Sequence, residues 1–267
     1  MLQKFRNKWY RYAAIFRETD NWPAYLAFKT GLHRGREFTF VMRDGSRYTV
    51  EKRMIGPFRE CFFDDQYFRR LDMGSFPERP LIIDIGANVG FAALHFLHLF
   101  PKAVIHSFEP MPFMLAQMHG RRAEYPAAEW HVHEAGVWKE DGELELFTTD
   151  RDEFTAVSGL VKLEDTNRKV KVRVVGLEGF MKDNGIGRVD LLKLDCEGAE
   201  YGILFNLSVE AFACIRNIAM ETHDTEEWKT GDMVRFLKSK GYEVDFEEGR
   251  VTGHVWARRR DESGAGT

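Results

Sequence analysis

Leu81-Ile82-Ile83-Asp84-Ile85-Gly86-Ala87-Asn88-Val89-Gly90-Phe91 is the stretch that decides the fold of this chain. It begins as a short apolar run, the pattern of a buried strand over 81–86. The run is broken by a carboxylate and then by Gly86, Asn88 and Gly90 on alternate positions. A helical pattern follows over 90–100 through Phe91, Leu94, Phe96, Leu97 and Phe100, and Pro101 stops it. Strand, glycine turn and helix open a nucleotide-binding βα unit, because glycine lets the backbone turn tightly and approach a ligand closely.

The spacing narrows the ligand. Gly86-x-Asn88-x-Gly90 is neither the G-x-G-x-x-G of dinucleotide enzymes nor the G-x-x-x-x-G-K-[ST] of a phosphate loop. Asp84 stands just before the glycines, where an acid suits a hydrogen-bond donor or a cation rather than a phosphate. A second acid, Glu109, ends the next apolar run over 103–109, and an acid there commonly holds ribose hydroxyls. Together these features suit an adenosine carrying an amino acid, which is S-adenosylmethionine.

Outward from this unit, Pro110 and Pro112 lead a helix to about Ala123, and a third strand runs over 130–133. Residues 143–147 and 169–175 alternate as strands, with a polar, irregular stretch over 150–168 between them. A short helix over 177–183 precedes the fourth core strand, 189–195, and a helix then runs to about Phe205. The fifth strand spans 214–221, a helix 226–240, and a closing hairpin pairs 242–246 with 251–257. Strands alternating with helices imply an α/β, mostly parallel sheet covered on both faces, with ligands beyond the strand C-termini. Asp84, Glu109, Glu134, Asp195 and Glu221 all end strands in this reading and converge on one crevice.

Upstream, residues 1–31 read as a helical segment with Phe5, Trp9, Tyr12, Ala13 and Phe16 at helical spacing. Residues 36–55 read as a β-hairpin with an Asp44-Gly45 turn, and 60–71 as a helix. Three segments result: an N-terminal helical and β-hairpin extension over 1–75, the main domain over 76–260 and a flexible tail over 261–267. The first 60 residues hold 13 Lys+Arg against 6 Asp+Glu, whereas the remainder holds 25 against 36. That basic segment suits either the protein's own acidic body or peripheral contact with an anionic membrane surface. Cys61, Cys196 and Cys214 form no metal-binding or disulfide spacing, which suits a reducing cytoplasm. No signal peptide or transmembrane span is expected, so the localisation expected is cytoplasmic.

Three linked motifs carry a family resemblance: Asp84-Ile-Gly86-Ala-Asn88-Val-Gly90, Phe108-Glu109-Pro110, and Asp190-Leu-Leu-Lys193-Leu-Asp195-Cys-Glu197-Gly198-Ala-Glu200. With Glu221-Thr-His223 they resemble the FkbM family of S-adenosylmethionine-dependent methyltransferases, over roughly residues 80–225. The resemblance implies the Rossmann-like class I fold, a seven-stranded sheet whose last strand is antiparallel. It implies O-methylation of a hydroxyl on a sugar, glycan or natural product. Asp84, Gly86, Asn88 and Gly90 would then surround the methionine part of the cofactor, and Glu109 the ribose. Glu134 and Ala135 would border the adenine, although an Asn is commoner at the Glu134 position. Asp195 would sit beside the transferred methyl.

Methyl transfer from a sulfonium needs an aligned nucleophile and, for a hydroxyl, a proton acceptor. Asp195, Glu197 and His223 are the candidate catalytic groups, with Glu200 read mainly as complementing a helix start. A cation held by Asp195, Glu221 and His223 is the less favoured variant, so no metal is assigned. His95 with His98, and His131 with His133, lack a third ligand and read as structural. Trp9, Trp22 and Trp256 either stack on sugar rings or pack, and Ser158 is a loop residue able to touch substrate. A nucleic-acid methyltransferase is disfavoured, because the fourth strand runs into Lys-Leu-Asp-Cys-Glu-Gly rather than an Asn/Asp-Pro-Pro-aromatic turn. A non-catalytic cofactor-binding homologue is the other alternative, against which the intact glycine loop and Glu109 argue.

Overall fold

In the computed structural model, described over residues 12–32, 35–148, 168–249 and 252–260, the chain divides into two units, 1–69 and 70–267. The first unit contains α1 (described over 12–18), α2 (Trp22–Lys29), β1 (Glu37–Val41), β2 (Arg47–Glu51) and α3 (Ile55–Phe62). β1 and β2 form the expected hairpin, with Phe38 opposite Val50 and Phe40 opposite Tyr48. Gly45 takes φ +90° in its turn, the left-handed conformation an Asp-Gly turn supplies. The inward positions pack as an aromatic core in which Phe40 stacks on Phe58 and Tyr25 meets Phe38 edge-on.

Two expectations are corrected here. The single helical segment over 1–31 is interrupted where Thr19 bridges Met42, and helix resumes at Trp22 with Pro23 in the first turn. Proline is tolerated there because first-turn N–H groups have no intrahelical partner. The helix expected over 60–71 instead spans Ile55–Phe62, its start marked by Gly56-Pro57. Phe5 and Trp9 lie outside the described residues.

The second unit runs β3 (Leu81–Ile85), α4 (Phe91–Leu99), β4 (Val104–Phe108), α5 (Pro112–Ala123), β5 (Glu129–His133), β6 (Gly136–Trp138), β7 (Gly142–Thr148) and β8 (Arg168–Gly176). It continues with α6 (Leu177–Asp183), β9 (Val189–Leu194), α7 (Glu200–Leu204), α8 (Val209–Cys214), β10 (Ile215–His223), α9 (Thr230–Ser239), β11 (Tyr242–Glu248) and β12 (Thr252–Arg259). Seven strands form one sheet in the order β11-β12-β10-β9-β3-β4-β5. The pairs from β5 across to β10 are parallel, and β12 alone runs antiparallel, to β10 and to β11. This is the expected α/β sheet with its antiparallel last strand.

From β3 the chain steps outward to β5, then returns to lay β9 on the other side of β3. Helices leave the two strands in opposite directions at that switch, which opens a crevice beyond their C-termini. β9 is buried at every position, and Ile203, Leu204, Ile218 and Leu237 pack in the same core. β6, β8 and β7 form a separate three-stranded sheet, which takes up the strands expected over 143–147 and 169–175. Ser158 and the tail over 261–267 lie outside the described residues. The helix expected from Glu226 starts at Thr230, because Trp228 N donates to Thr225 Oγ1 and Lys229 N to the Asp232 carboxylate, each at 2.9 Å. Those bonds close a turn before the helix begins. Trp256 is buried within β12, so it packs rather than offering a face for a sugar ring. Among the described residues no helix is long and apolar enough to cross a membrane.

Candidate active site

Three adjacent strands bring Ser107, Asp84 and Lys193 to one level, since Asp84 pairs in register with both others. Charges inside a sheet persist only when mutually satisfied. Lys193 Nζ lies 2.9 Å from Asp84 Oδ1, with side-chain exposures of 2% and 0%. The ammonium also donates to Gly86 O at 2.8 Å and Ile85 O at 3.2 Å. Ser107 Oγ donates to Asp84 Oδ2 at 3.3 Å and accepts from Trp130 Nε1 at 3.0 Å. Asp84, expected against the cofactor, is thus enclosed, and it acts on the loop through Lys193. Its carboxylate has no exposed surface.

Gly86 has φ +72°, and a Cβ there would stand 1.8 Å from Asp195 O. The loops after β3 and β9 therefore touch through backbone at this point. Asn88 also takes a left-handed φ of +52°, and its Oδ1 accepts the Val89 N–H at 2.7 Å. Such a local bond is what makes Asn tolerable there. Gly90 enters α4 with φ +88°, where a Cβ would meet Trp130 at 2.9 Å.

Glu109 follows β4. Its Oε2 accepts Asn88 N and its Oε1 accepts Met111 N, both at 2.9 Å. Burial pushes its pKa up to about 7, against the pull of those two N–H donors and of Lys193. Glu109 so fastens the glycine loop to the end of β4. Glu109 N and Ala135 N both donate to His133 O, which sets the turns after β4 and β5 side by side. Ala135 is buried, whereas Glu134 is exposed and lies 3.2 Å from His119 Nε2.

The second cluster lies beyond β9 and β10. Glu197 and Gly198 take successive left-handed φ values of +52° and +102°. The turn they make aims Cys196 N at Glu200 Oε1 and Gly198 N at Glu200 Oε2, each at 3.1 Å. Glu200 opens α7 and is fully buried. Its Oε1 lies 3.0 Å from His223 Nδ1, while His223 Nε2 lies 3.2 Å from Glu197 Oε2. Asp195, Glu197 and His223 present polar atoms within 4.8 Å of one another, the one such trio found among the described residues. Glu221, expected beside Asp195 and His223, is not in it; Glu197 is.

Burial opposes charge on the His223 ring. The hydrogen bond the ring donates to Glu200 and the charges of Glu200, Glu197 and Asp195 outweigh it and push the pKa up to about 10. For Glu197, burial raises the pKa to about 7; His223 pulls it down, and Asp195 and Glu200 push it up. Near neutrality the ring is therefore an imidazolium, and Glu197 sits at its own midpoint. Burial, with the charges of Glu200 and Asp195, holds the Cys196 thiol well above its ordinary range, so it is no nucleophile. Among the described residues, the paired histidines of α4, β4 and β5 lie outside this trio. His95 is buried and pushed down to about 3, and His106 Nδ1 meets His133 Nε2 at 3.0 Å between β4 and β5.

The sequence model of the family described as the methyltransferase FkbM domain matches residues 84–244. "Methyltransferase 1" of Beauveria bassiana is 28% identical over 209 residues, covering 71% of this chain and 81% of its own. The 31-O-demethyl-FK506 methyltransferase FkbM of Streptomyces tacrolimicus is 27% identical over 223 residues, covering 72% and 82%. The crystal structure of methyltransferase FkbM from Methylobacillus flagellatus KT superposes with a TM-score of 0.51 at 12% identity, over 72% of this chain and 47% of that one. This last likeness bears on the fold.

Proposed function

This chain belongs to the methyltransferase FkbM family, and we propose that it moves a methyl group from S-adenosylmethionine to a hydroxyl of a small natural-product or glycan acceptor, with residues 76–260 as the transferring domain. The observation that carries this reading is the trio Asp195, Glu197 and His223, joined to the glycine loop by the Gly86–Asp195 contact, all inside the matched residues. The S. tacrolimicus relative, named for a 31-O-demethyl substrate, supports oxygen as the methyl acceptor.

In this reading the backbone of Gly86, Asn88 and Gly90 cradles the methionine part of the cofactor. Glu109 keeps lone pairs for the ribose hydroxyls, and Glu134 and Ala135 border the adenine. Asp195 lies beside the sulfonium. The acceptor oxygen attacks the methyl carbon in line as the carbon–sulfur bond breaks, leaving S-adenosylhomocysteine. Its proton passes to Glu197, whose pKa of about 7 matches the task. His223 already holds a proton at neutral pH, so it serves as a charged partner to Glu197 rather than as the base. No cation is part of the scheme, and turnover should survive exhaustive chelation.

Calorimetry with S-adenosylmethionine and S-adenosylhomocysteine tests the cofactor. Glu109→Ala should weaken binding by about tenfold or more, or about 1.4 kcal/mol. Absence of binding to the unmodified protein would sink the reading. His223→Ala should lower turnover on a hydroxylated acceptor by at least about tenfold, with cofactor affinity kept.

A further inference from the structure

We propose that Glu200 is a positioning residue for methyl transfer: its buried carboxylate holds His223 by Nδ1 and thereby directs Nε2 at Glu197. The inference rests on the methyl-transfer reading above. Its basis is a chain of contacts that runs from backbone to ring. The left-handed pair Glu197-Gly198 turns two N–H groups onto Glu200. Those bonds fix a carboxylate that has no exposed surface. The fixed oxygen meets Nδ1 at 3.0 Å, and the opposite nitrogen is left 3.2 Å from Glu197. With a carboxylate against each nitrogen, the ring has one orientation, since a flip would lose both contacts.

The plainer role for an acid at this place is to complement a helix start. α7 has five residues, Glu200–Leu204, so its dipole is small, and the N–H groups that Glu200 accepts belong to the preceding turn. Holding those N–H groups needs an acceptor oxygen but no charge. Holding a protonated ring needs the charge. The charged groups facing His223 are Glu200, Glu197 and Asp195, and its register partner on β12, Thr252, is uncharged.

Glu200→Gln removes the charge and keeps most of the backbone contacts. With the amide oxygen in the place of Oε1, Cys196 N and Nδ1 keep their acceptor, and only Gly198 N gives up its shorter bond. Without the charge the ring loses its extra proton. The experiment compares the full wild-type chain, Glu200→Gln and His223→Ala, each saturated with S-adenosylhomocysteine. Nitrogen-15 ring signals are assigned to His223 by their loss in His223→Ala.

Wild type should show a doubly protonated ring at about pH 8, and Glu200→Gln a neutral one. Turnover of Glu200→Gln should fall by at least about tenfold with cofactor affinity within about twofold, and the high-pH limb of its rate profile should move down. A variant that folds, binds cofactor and keeps the wild-type ring signals overturns the proposal. So does one whose ring signals move while turnover and the rate profile stay unchanged. Full turnover by His223→Ala also overturns it, since Glu200 is argued to act through that ring, whereas lack of cofactor binding by wild type would instead refute the methyl-transfer reading. The ring signals report the Glu200–His223 contact independently of activity.

Discussion

Lys193→Met puts the buried relay under the glycine loop to a quantitative test. In the folded protein the ammonium is paired with Asp84 at 2.9 Å and donates to two loop carbonyls. Removing it strands a carboxylate with no exposed surface, which costs about 3–5 kcal/mol. The carbonyls of Ile85 and Gly86 lose a donor as well, adding roughly 1 kcal/mol. With a urea slope of about 2 kcal/mol/M, the unfolding midpoint should fall by about 2–3 M. Asp84→Asn alone strands the lysine instead and should cost a similar amount. The double variant Asp84→Asn/Lys193→Met contains neither charge, so its cost should fall short of the sum of the singles by at least about 2 kcal/mol. Urea titrations followed by tryptophan fluorescence and by circular dichroism would supply all four corners of the cycle. Additive single costs, or a Lys193→Met cost under about 1 kcal/mol, would refute the account of a buried, mutually dependent pair. The double variant carries a second consequence. Its loop carbonyls are untied although its charges balance, so S-adenosylhomocysteine should bind it at least about tenfold more weakly than wild type.

Gly86→Ala sets a Cβ against the backbone oxygen of Asp195 in a left-handed conformation and should lower the thermal midpoint sharply and abolish cofactor binding. Gly90→Ala is also left-handed but meets the rim of the Trp130 side chain, so it should keep measurable binding while losing stability. Glu109 carries a pKa raised from 4.5 to about 7, so the folded state holds a proton the unfolded chain releases. Its stabilising share is fully present below about pH 4.5 and is lost as pH rises through about 7, and Glu109→Gln should flatten that part of the stability profile in urea titrations. His223, raised from 6.5 to about 10, acts in the same direction at higher pH: its share is present below about 6.5 and is lost as pH rises through about 10. The stability difference between wild type and His223→Gln should therefore shrink across that interval.

The sheet was legible because period and punctuation agree. Leu81–Ile85 and Val189–Leu194 are apolar runs too short for helices, and each is followed by a glycine turn and a helix. The strand C-termini could then be found by counting, and with them most of the acids that converge. What stayed hidden depends on register or on backbone sign. Lys193 shows in the sequence as one cation inside a buried strand, which already demands a partner. That the partner is Asp84 follows from a cross-strand register set by packing of the whole sheet. Asp84 reads in the sequence as an acid facing the crevice, whereas in the fold its carboxylate faces Lys193.

Glu221 and Glu197 show the other limit. Ending the fifth strand at Glu221 nominates that acid for the cluster, whereas β10 runs on to His223. Glu197 occupies the cluster because its φ is positive, a conformation uncommon for a non-glycine residue and not readable from side-chain type. The hint lay in the next residue. Gly198 marks a turn sharp enough to reverse the chain within Asp195–Glu200, and that reversal brings Glu197 and Glu200, three residues apart, onto opposite nitrogens of one imidazole. An acid flanked by glycine directly after a buried strand is thus better read as aimed into the crevice than as the first turn of the next helix. In the proposed methyl transfer Glu197 and Glu200 would divide the work by burial: the partly exposed one to meet an acceptor's proton, the sealed one to hold the ring that faces it.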